Sequence, residues 1–284
     1  MFFTNDFLDG LLRDDVPWGD LTSDALGIGG QAGSMEFRSR FACILGGVAE
    51  AEAVLKQIGL TPVIFAASGT AVDAGALVLS VEGLASELHH GWKVAQNLIE
   101  YASGIATRTR MLVTRGREVN PRLVVACTRK YFPGGKILSM NAVNSGGGVA
   151  HRLGLSETFL LFDNHARFFA SESSLSEALQ HVVAKLPEKK LAVEASSLDF
   201  ARVAAAAGAD IIQFDKVAAL QLADWIPLLR HDFPALTIAA AGGISLESMA
   251  DFARTGIDVA VTSAPYFGPP QDIEVRIAPT KSMF

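Results

Sequence analysis

Two rhythms of apolar and polar residues run along the chain, and one replaces the other near residue 110. Before that point, apolar and polar side chains alternate at 35–40 and again at 76–81, the period of strands with one wet face. Residues 48–57 instead carry helical spacing, and a longer helix is predicted over 86–107. There Leu88, Trp92, Ala95, Leu98, Ile99 and Ala102 recur at three- and four-residue steps. This first part reads as α+β.

Beyond it the alternation gives way to short runs that are apolar on both faces, at 123–126, 159–162, 191–193, 211–214, 237–240 and 259–261, many of them separated by Ala-rich helical segments. Such runs are parallel strands covered on both sides. Polar residues or glycines come at the end of each run: Thr128-Arg129-Lys130, Asp163-Asn164-His165, Glu194, Asp215-Lys216, Gly242-Gly243 and Thr262-Ser263. A barrel gathers such strand ends on one rim, whereas an open doubly wound sheet spreads them along an edge. The barrel is the preferred reading, and its six or seven strands make it incomplete. The expected organisation is an N-terminal α+β sandwich domain over 1–108, an incomplete parallel α/β barrel over 109–270, and a C-terminal segment, 271–284, that packs back on the first domain.

Charge and composition narrow the chemistry. With 24 Lys and Arg against 30 Asp and Glu among 284 residues, the net charge is −6, with no block of like charge. A broad electrostatic footprint for nucleic acid or anionic lipid is missing. No apolar run reaches the length of a membrane span, and the acidic start MFFTNDFLDGLLRDD lacks the basic and apolar regions of an export signal. Cys43 and Cys127 stand in apolar contexts without metal-ligand spacing, as expected of two buried thiols in a reducing, cytoplasmic setting.

Any anion must then meet a local cluster. Arg129, Lys130, Lys136, His151 and Arg152 supply one within residues 129–152, with Ser145-Gly146-Gly147-Gly148 just before the last two. Glycines there permit positive φ and close approach of backbone to a ligand. Glu194 and Asp215 stand opposite at strand ends, suited to Mg²⁺ or ribose hydroxyls and to balancing a developing positive charge. Gly242-Gly243, with a helical pattern after it through Phe252, resembles a barrel phosphate site, although a Gly-Gly pair alone is equally a tight turn. The paired His89 and His90 point different ways on a helix and do not make a metal site. Cations together with carboxylates indicate a phosphorylated sugar.

The strings TRKYFPGGKILSMNAVNSGGGVAHRLGL and LLFDNH, with YASGIATRTR before them and DDVPWGDLT near the start, resemble quinolinate phosphoribosyltransferase, also called nicotinate-nucleotide pyrophosphorylase. The likeness runs almost end to end. Departures at Tyr101, Phe162, Lys216, Ala241 and Ser263 resemble the ModD branch of that family, associated with molybdenum-transport operons.

The resemblance implies a pentosyltransferase-class enzyme and a homodimer, or a higher homo-oligomer, whose active sites are completed by the partner subunit. Its reaction attacks C1 of Mg²⁺-bound phosphoribosyl pyrophosphate and expels pyrophosphate. It implies acceptor-binding roles for Arg129, His151 and Arg152, and a catalytic role for Lys130 between acceptor and diphosphate. Glu194 and Asp215 match the catalytic carboxylates near ribose and Mg²⁺, while Gly242, Gly243 and Ser263 fall in the 5′-phosphate region.

Where the family has an arginine that reaches into the neighbouring subunit's quinolinate pocket, this chain has Tyr101; where it has a lysine before Asp-Asn-His, this chain has Phe162. Each lost hydrogen bond to a charged group is worth about 1.5–3 kcal/mol. The two losses together cost about 3–6 kcal/mol, on the order of a hundred- to ten-thousandfold in affinity for a dicarboxylate. Lys216 replaces an asparagine and could return one positive charge from another direction. Ala241 and Ser263 replace a serine and a glycine in the phosphate region.

The expectation is therefore a phosphoribosyltransferase-like pyrophosphorylase acting on a nitrogenous acceptor other than quinolinate, with a link to molybdenum metabolism. The alternatives are a true quinolinate phosphoribosyltransferase of NAD biosynthesis and a non-catalytic ligand-binding protein acting with molybdate uptake.

Overall fold

A computed structural model describes residues 3–280, and these form two compact units. The first takes the chain up to Arg110, Tyr131–Gly147 and the segment from Pro265; the second takes Met111–Lys130 and Gly148–Ala264.

The first unit is built on an antiparallel sheet in the order Ile273–Pro279, Ala32–Ser39, Leu77–Leu84, Val63–Ile64. Register obeys the alternation: Met35 lies opposite Ile277 and Val81, and Phe37 opposite Val275 and Leu79. A one-residue slip would turn Met35 and Phe37, both fully buried, out to solvent and forfeit roughly 1.5–3 kcal/mol for each. The helix Val48–Gln57 packs Val48, Ala51 and Leu55 into the same core, with Leu88, Ala95 and Ile99 of the helix Ala85–Arg117. Gly47 starts the shorter helix at φ +73°, where any Cβ would fall on the Leu98 carbonyl. Close approach of the two backbones thus requires glycine at this position. Helices Asn5–Asp15 and Leu21–Leu26, capped by Thr4 and Asp20, complete the N-terminal part.

The second unit is a sheet of seven parallel strands in the order Val149–Ala150, Val124–Cys127, Val259–Thr262, Thr237–Ala241, Ile211–Asp215, Leu191–Ala195, Phe159–Leu161. The two end strands do not pair, so this is a half-barrel, as the strand count predicts. Helices Glu172–Lys185, Leu198–Ala206, Ala219–Asp232 and Met249–Arg254 intervene between successive strands.

Its strands sort their side chains by period two. Leu191, Val193, Ile212, Phe214, Ile238 and Ala260 enter the main core with helix residues Leu179, Ala204, Leu222 and Leu229. The opposite face carries a separate cluster of small side chains, Ala126, Ala239, Ala241 and Val261, flanked by Ile211 and Val259. Alternation puts the polar residues Glu194, Gln213 and Asp215 on this face, and small neighbours leave them room.

The helical pattern expected after Gly242-Gly243 and Ile244-Ser245, through Phe252, is the six-residue helix Met249–Arg254. Serines hold the intervening turn: Ser245 N–H donates to Ser248 Oγ at 3.0 Å, and Ser248 Oγ donates to the Gly243 carbonyl at 3.1 Å. Hydroxyls that satisfy backbone groups locally delay helix entry.

Candidate functional site

Each strand end contributes one part of the site. After Val124–Cys127 the chain leaves with Thr128 N–H bonded to the Thr262 carbonyl at 3.0 Å and Lys130 N–H to Thr128 Oγ1 at 3.3 Å. Arg129 and Lys130 are exposed. Beside this strand, His151 N–H donates to the Cys127 carbonyl at 2.9 Å, which fixes the backbone of His151-Arg152 against the same strand end. Arg152 is buried and His151 half-buried.

These basic groups feel one another. Burial, then the Arg152 charge, pushes His151 below the ordinary histidine value; Gln213 works against that and Arg129 adds to it. Arg152 is itself lowered by burial and by Arg129. Three basic side chains close enough to repel form a site that an anion stabilises.

The acidic half lies on two adjacent strands. Gln213 is the register partner of Glu194, and Asp215 is two residues further along, opposite Ala241. Gln213 Nε2 donates to Glu194 Oε2 at 3.2 Å. Glu194 sits above the ordinary glutamate value, chiefly through burial and next through Asp215, with a smaller push from Asp163; Gln213 and Lys216 oppose the rise. Lys216 Nζ is 3.4 Å from Asp215 Oδ2, its side chain 83% exposed.

Lys216 is also the one non-glycine at positive φ among the described residues, at +58°. Its N–H is held by the Ala241 carbonyl at 2.8 Å, which brings the turn after Asp215 against Gly242. Gly242 and Gly243 take φ of +87° and +72° in succession. Thr262 Oγ1 donates to the Ile244 carbonyl at 2.7 Å and accepts from Ala264 N–H at 3.1 Å, bracketing half-buried Ser263.

Phe162 is half-buried and meets the His165 ring edge-on at 4.2 Å between centroids. Asp163-Asn164-His165 opens a four-residue helix, with Asp163 paired to Arg167 at 2.6 Å. Arg129, Lys130, His151, Arg152, Phe162, Glu194, Asp215, Lys216, Gly242, Gly243 and Ser263 all belong to the second unit. Lys136 and Tyr101 belong to the first. There Tyr101, 59% exposed, lines a cavity of about 320 Å³ with Leu11, Val94, Leu98 and Leu138, and with the polar residues Asp14, Asp15 and Asn97.

Sequence reasoning missed Gln213. It is 5% exposed and stands between the acidic and basic halves of the site. The signal was a lone polar residue in the run IIQF, two before Asp215 and hence on the same face.

Comparison with known proteins agrees along the whole length. The chain matches the family described as "Quinolinate phosphoribosyl transferase, N-terminal domain" over residues 20–103 and its C-terminal counterpart over residues 105–276. A Pasteurella multocida protein named "Putative pyrophosphorylase ModD" is 36% identical over 277 residues, 98% of each chain. A Rhodobacter capsulatus protein of the same name is 41% identical over 257 residues, 90% of this chain and 98% of that one. The crystal structure of NadC from Streptococcus pyogenes superposes with a TM-score of 0.89 at 27% identity, covering 99% of this chain and 100% of the other.

Proposed function

Because the chain belongs to the quinolinate phosphoribosyltransferase family, we propose that it transfers a phosphoribosyl group from phosphoribosyl pyrophosphate to a nitrogenous acceptor less anionic than quinolinate. The observation that carries this reading is the division of the strand ends into a basic half, Arg129, His151 and Arg152, and an acidic half, Glu194 and Asp215, with Gln213 between them. Departure of pyrophosphate leaves positive charge on the ribose ring, and adjacent carboxylates stabilise that charge where it develops. The basic groups and Lys130 hold the diphosphate and the acceptor. Gly242, Gly243 and Ser263 take the 5′-phosphate, the two successive positive-φ glycines allowing close approach of backbone to the anion.

Mg²⁺ fits this donor set. Among the described residues no group of three His, Cys, Asp or Glu side chains could hold a metal. Mg²⁺ asks for less, since it is bound through one or two carboxylates with substrate phosphates and water. Glu194 and Asp215 supply two; Glu194 is raised chiefly by burial and next by Asp215, and a cation relieves the second of these. When bound, the ion neutralises the diphosphate. The frame that completes each site in this reading is a homodimer, with Tyr101 offered to the partner's pocket.

Tyr101 and Phe162 carry the acceptor argument. With two cationic positions replaced by aromatic rings, the pocket favours a flatter, less charged heterocycle. A link to molybdenum metabolism is part of this proposal and rests on the resemblance of the departures at Tyr101, Phe162 and Lys216 to the ModD branch. The test is to incubate the protein with phosphoribosyl pyrophosphate, Mg²⁺ and a panel of N-heterocycles and to measure pyrophosphate release. Release with an uncharged or monoanionic acceptor is expected. Nicotinate mononucleotide and carbon dioxide formed from quinolinate at ordinary rates would refute the acceptor argument. Silence across the panel, with no donor binding by calorimetry, would refute transfer altogether. Tight molybdate binding that survives Glu194→Ala would favour an oxyanion sensor instead.

A further inference from the structure

Among the described residues, one buried side-chain nitrogen or oxygen lacks any hydrogen-bond partner, and it is Gln213 Oε1. A buried carbonyl left unpaired costs stability, so such atoms are rare and require a reason. Gln213 has little freedom to repair this by itself. Its Cα is locked in a parallel ladder, opposite Glu194 on one side and Ala239 on the other. An ionised carboxylate only accepts hydrogen bonds, so the amide must turn its nitrogen to Glu194 and its oxygen away.

We propose that Gln213 is a positioning residue that ties the two halves of the site together, its Nε2 holding Glu194 and its Oε1 reserved for a ring N–H of His151. Gln213 is the group that favours a proton on the His151 ring, against burial, Arg152 and Arg129. Gln213 Oε1, buried and unpaired, is the acceptor this influence requires.

The amide is polar at both ends, so the choice at one end dictates the other. With its nitrogen on Glu194, it requires a ring nitrogen of His151 that bears hydrogen, which fixes the histidine tautomer. The remaining neighbours do not offer this link: Asp215, Lys216 and Asp163 act on Glu194, and Arg152 and Arg129 act on His151. Gln213 is the side chain that acts on both. Placing this tie inside a phosphoribosyl-transfer site rests on the proposed transfer function; the tie itself does not.

Nuclear magnetic resonance of the full chain labelled with ¹⁵N-histidine tests it directly. A hydrogen-bonded ring N–H is protected from exchange with water, and the His151 signal is identified by its loss in His151→Gln. The expected result is a protected His151 ring N–H in the parent protein that disappears in Gln213→Met. It also weakens in Glu194→Gln, where nothing dictates which way the amide points. Absence of the signal in the parent, or its survival in Gln213→Met, overturns the proposal. If Gln213→Met does not unfold cooperatively, the parent spectrum and Glu194→Gln still decide the matter.

A second arm titrates phosphoribosyl pyrophosphate with Mg²⁺ by calorimetry. Gln213→Met should weaken binding about ten- to hundredfold, and the double variant with Glu194→Gln should bind no worse than Glu194→Gln alone. Additive losses would sink the tie. Failure of the parent protein to bind the donor would defeat the transfer reading and leave the resonance result standing.

Discussion

Lys216 rests directly on Gly242: a Cβ added at Gly242 would come within 2.7 Å of Lys216 Cγ and 2.8 Å of its backbone nitrogen. Both residues have positive φ, +58° and +87°, so two strand ends are held together in conformations that suit glycine and asparagine better than lysine. Lysine at φ +58° is a cost that its exposed ion pair with Asp215 does little to offset. Gly242→Ala should lose about 1–3 kcal/mol through the clash and the strained φ combined. Lys216→Asn should lose nothing measurable or gain a few tenths of a kcal/mol. Urea midpoints of the two variants check the ordering, and equal losses would show that the contact at Gly242 is not the determinant.

The basic cluster predicts a dependence of stability on pH. His151 lies below its ordinary value of about 6.5 in the folded chain, so the unfolded state binds more protons on the acid side of that value. Its contribution is fully present above about pH 6.5 and is lost as the pH falls through the folded value. Arg129→Met removes one repelling charge and should raise the His151 titration midpoint toward the ordinary value, flattening that acid-side loss. Histidine titration by resonance, with urea unfolding at several pH values, gives both numbers. A midpoint that moves down or stays still in the variant would contradict the cluster.

Legibility differed by feature for physical reasons. Half-barrel strands announced themselves because burial on both faces demands continuous apolar runs, and the run over 211–214 lies within the strand Ile211–Asp215. The two-residue strand Val149–Ala150 carries no period to read. The first residue of the helix Met249–Arg254 is not legible from apolar spacing, because Ser245 and Ser248 satisfy the backbone with hydroxyls before it, a local effect that spacing does not register. Charged strand-end residues stood out as candidates since each breaks an apolar run. Gln213 did not, because a single uncharged residue inside such a run resembles a tolerated impurity until its register partner is known to be Glu194.

Burial governs the two thiols. Cys127 is fully buried and its thiol is pushed up to about 12, while Cys43 is raised by burial with partial relief from Ser39. Only the thiolate reacts with disulfide reagents, so both cysteines should be inert in the folded protein at pH 8. Reaction with an aromatic disulfide reagent should begin only when urea unfolds the chain. Modification of either thiol in the native state would show that local opening exposes these positions.

Acceptor choice provides the sharpest expectation, because it can be tested by gain of binding. Tyr101 is well exposed and Phe162 half-exposed, so each can be exchanged for a longer cationic side chain without opening a core. If these rings are what disfavours a dicarboxylate, Tyr101→Arg and Phe162→Lys should each improve quinolinate affinity. Together they should recover about a hundred- to ten-thousandfold, equivalent to two charge-assisted hydrogen bonds. Donor affinity should not change, since neither position is assigned to the diphosphate or the 5′-phosphate. Calorimetry with quinolinate and, separately, with phosphoribosyl pyrophosphate distinguishes the outcomes. Improved quinolinate binding with unchanged donor binding supports the assignment; a double variant that binds quinolinate no better places acceptor selection elsewhere, with Lys216 the next cation to exchange.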